Sequence, residues 1–259
     1  MLLAIDVGNT QTVIGTYKDQ ELVGHWRIST DAKKTGDELA LYYQGFLSLE
    51  GLTFSDFDAV IISSVVPPAT SALEQMTRDY WDFEPLIVGV NVEAGIKVLI
   101  DNPKEVGPDR LVNTVAAFDR YGGPSIVVDF GTATTFDAVS GAGEYIGGVI
   151  APGIEISSQA LFRAAARLTR VDLRRPPSVI GKNTVWSLQS GIIYGFAGQV
   201  DRVVELMKEE MGQKSTVVAT GGLAEVVVDE CRSVQKHDPL LTLHGLHLIY
   251  DRLKRRGKG

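Results

Sequence analysis

The feature that most constrains this chain is a short turn that occurs twice. Leu3–Thr12 reads Leu-Ala-Ile-Asp-Val-Gly-Asn-Thr-Gln-Thr, and Ile126–Thr135 reads Ile-Val-Val-Asp-Phe-Gly-Thr-Ala-Thr-Thr. In both, an apolar run ends in an aspartate, a glycine follows two positions on, and short polar side chains come next. A buried strand that ends this way brings a carboxylate and backbone N–H groups to one mouth of a sheet. Asp129 lies 123 residues after Asp6, close to half of the 259-residue chain.

The elements around the two turns follow a similar order. Leu2–Val7, Thr12–Tyr17 and Glu21–Ile28 read as an antiparallel meander. Thr35–Glu50 reads as a helix, with Leu39, Tyr42, Tyr43, Phe46, Leu47 and Leu49 mostly on one face. Ala59–Val66 is a buried strand stopped by Pro67-Pro68, Ala69–Tyr80 a helix, and Pro85–Val90 a strand. Ile96–Ile100 reads as a short strand and Asn102–Gly107 as a loop. Pro108 can then start a helix running to about Phe118, because its missing N–H would have had no partner there. The second half repeats the meander at Ile126–Asp129, Thr134–Val139 and Tyr145–Ala151. Helices are expected at Ile154–Leu168, Thr184–Met211, Leu223–Cys231 and Leu241–Arg255. An irregular stretch spans Thr169–Asn183, a strand Thr216–Thr220, and a basic tail Lys254–Gly259. Three strands, helix, strand, helix thus occur twice, with one extra helix in the second copy. The expectation is an α/β protein of two duplicated domains, residues 1–118 and 119–259, with a ligand cleft between them.

Composition narrows the partners. A hydrophobic content of 44% with 22% charged residues is that of a folded globular chain. The net charge of −7 argues against nonspecific nucleic-acid binding, which needs a basic face. An anionic ligand is still allowed, because a local nest of N–H groups binds phosphate within an acidic protein. Cys231 is the one cysteine, so no disulfide can form within the chain. It follows Val226-Val227-Val228 and reads as a buried structural thiol. No basic leader and no membrane-length apolar run are evident, so the expected location is cytoplasmic.

The turns suggest chemistry without naming it. N–H groups from Gly8 to Thr10 and the Thr10 hydroxyl could surround a phosphate, and Asp6 could hold Mg²⁺ through water. Alone, this stretch reads equally well as an ordinary tight hairpin. The second copy at Asp129 shifts the balance toward a polyphosphate with bound metal. No Gly-x-x-x-x-Gly-Lys-Ser/Thr loop is present, so a Walker-type nucleotide site is excluded. Thr220-Gly221-Gly222 could let a flat ligand such as adenine approach the backbone, or could be a plain strand-to-helix turn.

Four motifs together are specific. Asp6-Val7-Gly8-Asn9-Thr10, the segment from Asn102 to Arg110 (Asn-Pro-Lys-Glu-Val-Gly-Pro-Asp-Arg), Asp129–Thr135, and Ala219-Thr220-Gly221-Gly222 stand in the order seen in type III pantothenate kinases. The chain resembles that family over nearly its whole length. The resemblance implies two actin-like (ribonuclease H-like) domains of the acetate and sugar kinase, Hsc70 and actin superfamily. It implies ATP-dependent phosphorylation of pantothenate, the first step of coenzyme A synthesis. It also implies a homodimer, ATP with Mg²⁺, and a monovalent cation, K⁺ or NH₄⁺. By the same resemblance Asp6, Val7, Gly8, Asn9, Thr10, Gln11, Thr12 and Val13 form the first phosphate loop, and Thr132 is a nucleotide contact. Gly107, Pro108, Asp109 and Arg110 bind pantothenate with Asp109 as general base, Thr184 is a further substrate contact, and Asp129 is the cation ligand.

Two positions depart from the family pattern. Pro108 stands where alanine is frequent, which suits a helix start. Ile100 stands where tyrosine is frequent, and it keeps apolar contact without the hydroxyl. Another small-molecule kinase of the superfamily would share the Asp6 and Asp129 turns but not the Asn102–Arg110 segment. A non-catalytic relative would not need Asp6, Asp109, Arg110 and Asp129 together. His244 and His247, spaced i, i+3, read as a surface or interface pair, and His25 and Trp26 as packing. Ile192–Met207 could be either a dimer interface or core.

Overall fold

The computed structural model describes residues 1–165 and 168–257. The chain forms two compact units. One comprises Met1–Ile96, Asn102–Ala116 and the chain from Leu241 onward; the other comprises Lys97–Asp101 and Ala117–Leu240.

In the first unit, β1 (Leu2–Val7), β2 (Gln11–Lys18) and β3 (Glu21–Ser29) form the expected meander. Helix α1 (Gly36–Leu49) follows, then β4 (Ala59–Ser64), α2 (Pro67–Trp81) and a short β5 (Leu86–Ile87). The sheet order is β3-β2-β1-β4-β5, with β4 parallel to both β1 and β5. Alternation along the strands sends Leu3, Ile5, Val7, Val60 and Ile62 to one face, where they bury Leu39, Tyr43 and Leu47 of α1 and Leu73 and Met76 of α2. Thr35 caps α1 in a reciprocal box with Glu38, which satisfies two N–H groups that the first turn leaves over.

Helix α3 (Pro108–Tyr121) starts at Pro108 as expected, and the division between the units falls within it, after Ala116. The second unit continues with β6 (Ser125–Phe130), β7 (Ala133–Val139), β8 (Tyr145–Pro152), α4 (Ile154–Ala164), α5 (Thr184–Met211), β9 (Thr216–Thr220), α6 (Ala224–Val227) and β10 (Lys236–His237). Its sheet order, β10-β9-β6-β7-β8, is the first sheet's order read from the other edge. Again the central strand is antiparallel to the second strand of the meander and parallel to the strand that follows the helices. The duplication inferred from the two turns is therefore present as topology. Ile192, Ile193, Ala197, Val200 and Val204 of α5 are buried against Ile126, Val128 and Phe130 of β6, so that face of α5 is core.

The last helix, α7 (Leu241–Arg255), belongs to the first unit, whereas a cut after residue 118 assigns it to the second half. Gly15 on β2 packs against Leu243, and Gly245 lies so close to Val112 of α3 that an added Cβ would sit 2.3 Å from its carbonyl oxygen.

Other local expectations change for identifiable reasons. Residues 85–90 yield only the two-residue β5, because the N–H groups of Val90, Asn91 and Val92 all turn back to the Ile87 carbonyl. The Asn91 side chain takes the Ile87 N–H as well, at 2.6 Å. Ile96–Ile100 forms no strand, only a single bridge between Val98 and Tyr145. Helix α4 ends at Ala164; the expected continuation through Ala166 and Arg167 lies outside the described residues, as do Lys258 and Gly259 of the tail. Leu223–Cys231 splits into α6 and a 3₁₀ turn, Val228–Glu230. Cys231 is buried as expected, and burial pushes its thiol up to about 12. His247 is no surface residue: it is buried, stacked on Tyr17 at 4.3 Å and bonded to the Asp19 carbonyl at 2.7 Å. His25 is exposed, while Trp26 stacks on Phe46.

Candidate active site

Strand β1 brings Asp6 to the C-terminal end of the first sheet, in register with Val13 of β2 and Ser63 of β4. The turn closes when the Gly8 N–H donates to the Gln11 carbonyl at 3.0 Å. Asn9, Thr10 and Gln11 are exposed, Asp6, Gly8 and Val13 half-buried, and Val7 and Thr12 buried. Val7 belongs to the core and the Thr12 hydroxyl bonds to Thr30, so these two side chains build the turn. The polar groups the turn presents outward come from Asn9–Gln11.

The segment expected to bind the acceptor lies at the same end of this sheet. Val65, just beyond β4, and Gly89, just beyond β5, both border it: a Cβ on Gly107 would lie 3.7 Å from Val65 Cγ1, and one on Gly89 would lie 3.9 Å from Pro108 Cβ. Ends of parallel strands are where open α/β sheets place their ligands. An added Cβ on Gly107 would stand 2.5 Å from Oδ1 of Asp109, so a glycine is what lets this carboxylate fold back over the loop. The Arg110 backbone N–H donates to the same oxygen at 2.9 Å. Position within the first turn of α3 suggests a readily ionised carboxylate. Instead, burial raises Asp109 above the usual carboxylate range, outweighing the Arg110 N–H and the Arg110 charge. The raised value makes Asp109 the better proton acceptor.

In the second unit Asp129 occupies the equivalent place on β6, in register with Thr135 and Thr220. Gly131 donates to the Ala133 carbonyl at 3.0 Å, which makes this turn one residue shorter than the first. Thr132 is half-buried at its tip. Gly221 has φ of +93°, and a Cβ there would fall 2.4 Å from Asp129 Oδ1 and 2.6 Å from the Phe130 nitrogen. This glycine is thus required by the close passage of the Asp129 carboxylate and the backbone beside it. Thr184 is exposed as the first residue of α5, whose cap is Asn183 with its Oδ1 accepting from the Trp186 N–H at 2.9 Å. Ile100 is half-buried beside Gly147 of β8.

The donor set can be tested against the groups the resemblance implies. Asp6, Asp129 and the turn hydroxyls and carbonyls are hard oxygen donors, the kind that Mg²⁺ and K⁺ take. Among the described residues no group of three or more His, Cys, Asp or Glu is placed to hold a metal. A Mg²⁺ that arrives on phosphates needs only one or two carboxylates, so the residues present fit it. Two residues that sequence reasoning missed back the turns, Thr30 and Gly153. They too are 123 positions apart, which was the available signal.

Comparisons with known proteins give the family. Residues 2–206 match the family model described as type III pantothenate kinase. The type III pantothenate kinase of Streptomyces griseus is 54% identical, over 97% of this chain and 98% of its own. That of Moorella thermoacetica is 51% identical, over 97% and 99%. Among solved structures, MreB 5 of Spiroplasma citri bound to AMPPNP aligns with a TM-score of 0.58 at 9% identity, covering 99% of this chain and 98% of that one. The activator of 2-hydroxyisocaproyl-CoA dehydratase from Clostridium difficile, with bound ADPNP, aligns at 0.57 and 13%, covering 99% and 97%. At such identities the structural likeness concerns the fold alone, that of actin-like domains. The sequence relatives go further, and the chain belongs to the type III pantothenate kinase family.

Proposed function

We propose that this protein transfers the γ-phosphoryl group of ATP to the primary hydroxyl of pantothenate, giving 4'-phosphopantothenate and ADP, the first step of coenzyme A synthesis. The observation that carries this reading is the Asp109 carboxylate, folded against Gly107 at the strand ends that also hold the Asp6 turn. The hydroxyl oxygen attacks the γ-phosphorus, the bond from phosphorus to the β,γ-bridging oxygen breaks, and the hydroxyl proton passes to Asp109. Such a transition state is loose, so positioning and charge neutralisation dominate. A carboxylate of raised basicity accepts the proton late, when the new bond has formed.

The neighbouring roles follow from residue chemistry and the family pattern. Arg110 pairs with the pantothenate carboxylate. Asn9–Gln11 and Asp6 meet the nucleotide phosphates, and Mg²⁺ bound there would neutralise their charge. Asp129 serves the monovalent cation and Thr132 the nucleotide. Thr184 contacts substrate, and the active species is a cytoplasmic homodimer. No helix among the described residues is long and apolar enough to cross a membrane.

The test is ATP consumption with and without pantothenate, in potassium and in sodium. Turnover that requires pantothenate and is faster in potassium is expected; ATP consumption indifferent to pantothenate overturns the assignment. In Asp109→Asn, ATP binding should survive while turnover falls sharply. Near-normal turnover in that variant removes Asp109 as the base.

A further inference from the structure

Each of the two turns has a buttress at the position just after the third strand of its meander, and the two buttresses work differently. In the second unit it is Gly153, where an added Cβ would lie 2.2 Å from the Thr132 carbonyl oxygen and 2.7 Å from that of Gly131. The backbone at Gly153 therefore presses directly on the turn. In the first unit the same position is Thr30, which holds its turn through hydrogen bonds. The Thr30 N–H donates to the Thr10 carbonyl at 3.0 Å. Its hydroxyl donates to the Gly8 carbonyl at 2.7 Å. With that proton committed, the Thr12 hydroxyl, 2.8 Å away, donates to Thr30 Oγ1. One half-buried side chain and its own N–H thus reach Gly8, Thr10 and Thr12, which bracket the exposed polar groups of the turn.

We infer that Thr30 is a positioning residue for phosphoryl transfer, fixing the backbone of the Gly8–Thr12 turn in the shape that receives the nucleotide phosphates. The inference rests on the reading of that turn as a phosphate loop. Thr30 touches no reacting atom in this scheme; it acts through Gly8, Thr10 and Thr12. A β-strand end needs no hydroxyl to pair with its neighbour, so the side-chain bonds serve the turn rather than the sheet.

Thr30→Val keeps the shape and the N–H but removes the hydroxyl; Thr30→Ser restores it. T30V should raise KM for ATP about tenfold, because a carbonyl and a hydroxyl lose their partner. KM for pantothenate should stay within about twofold, and T30S should return the ATP value to within about threefold of wild type. A merely structural residue would lower the unfolding temperature without separating the two KM values. An ATP KM unchanged in T30V but raised in Asp6→Asn, or a T30S that does not rescue, overturns the inference. If neither T30V nor Asp6→Asn moves the ATP KM, the phosphate-loop reading itself falls. Should T30V fail to fold, Thr12→Val removes the donor to Thr30 and leaves the Thr30–Gly8 bond. A selective rise in its ATP KM supports the inference, and no rise overturns it.

Discussion

Replacing Gly107 with alanine tests the carboxylate geometry at the proposed active site more sharply than replacing the carboxylate. The new Cβ would appear 2.5 Å from Oδ1 and 3.6 Å from Cγ of Asp109. An ordinary carbon–oxygen contact is about 3.3–3.6 Å, so the carboxylate oxygen must withdraw by about 1 Å. Its other close neighbour is benign: Val65 Cγ1 would be 3.7 Å away, in normal contact. Nor does the backbone object, since Gly107 has none of the positive φ values that strain an L-residue. The alanine also reduces the freedom of the unfolded chain, a gain of about 0.4–1 kcal/mol that offsets any weakening of the Arg110 N–H bond. Stability should therefore change by less than about 1 kcal/mol. Turnover should not escape so lightly, because a 1 Å misplacement of a reacting group costs about 100-fold. The assay is steady-state kinetics in both substrates, paired with thermal unfolding and repeated in the Asp109→Asn background. If the effect passes through the carboxylate, Gly107→Ala adds little once Asp109 is gone. A single variant within threefold of wild-type kcat, or a double variant whose losses simply multiply, refutes the reasoning.

Three further outcomes are expected. Asp109→Asn should stabilise the protein at neutral pH: burial raises the native carboxyl, so wild-type stability falls as pH climbs from the ordinary carboxylate value, about 3.9, through the raised one. The advantage of the variant should vanish below the ordinary value, where both states hold the proton; denaturant midpoints across pH 3–8 read it directly. Gly221→Ala combines φ of +93° with backbone overlap at Phe130, and should cost about 2–5 kcal/mol in equilibrium unfolding. Thr35→Ala removes the hydroxyl that accepts the Glu38 N–H at 3.3 Å in the α1 capping box, and should cost about 1 kcal/mol in the same measurement.

What the sequence revealed and what it hid divide along physical lines. Strong periodicity and punctuation carried α5, whose bounds at Thr184 and Met211 follow from Asn183 before it and the left-handed Gly212 after it. Pro108 marked the start of α3 for a similarly local reason. Local patterns failed where a single side chain or a distant surface decides. The turn after β5, where the N–H groups of Val90, Asn91 and Val92 return to the Ile87 carbonyl and the Asn91 side chain takes the Ile87 N–H, is announced by nothing in the apolar run Pro85–Val90. The apolar stripe of α7 fits a helix, but only the structure shows that Gly245 seats it on Val112 of the first unit. At the candidate site, Asp6 and Asp129 stood out because the turn occurs twice, and Asp109 only through the resemblance of Asn102–Arg110 to the family segment. Thr30 was not, since a threonine closing a strand is unremarkable until its partners are known. The raised basicity of Asp109 was not legible either, because burial is a property of the folded loop, not of position in a helix.

The duplication also explains why two equivalent turns need not do the same work. Copying fixes where each carboxylate sits: at the end of a central strand, beside a parallel neighbour, in register with Ser63 in one unit and Thr220 in the other. What differs lies around them. The first turn is one residue longer, presents Asn9, Thr10 and Gln11 to solvent, and is held by hydrogen bonds from Thr30. A turn of that kind offers several N–H and hydroxyl groups to a large anion. The second turn is shorter and clamped by backbone at Gly153, with its carboxylate against Gly221. Neither glycine position can accept a Cβ, so the oxygens there are set by packing and have little freedom to adjust. Fixed oxygens at close quarters, with no ring of exposed N–H groups, suit a cation better than a large anion. The proposed assignment of the nucleotide phosphates to Asp6–Val13 and of the monovalent cation to Asp129 follows that difference. Thr30→Gly tests it: ATP KM should rise while potassium activation persists, and a loss of potassium activation with ATP KM unchanged refutes it.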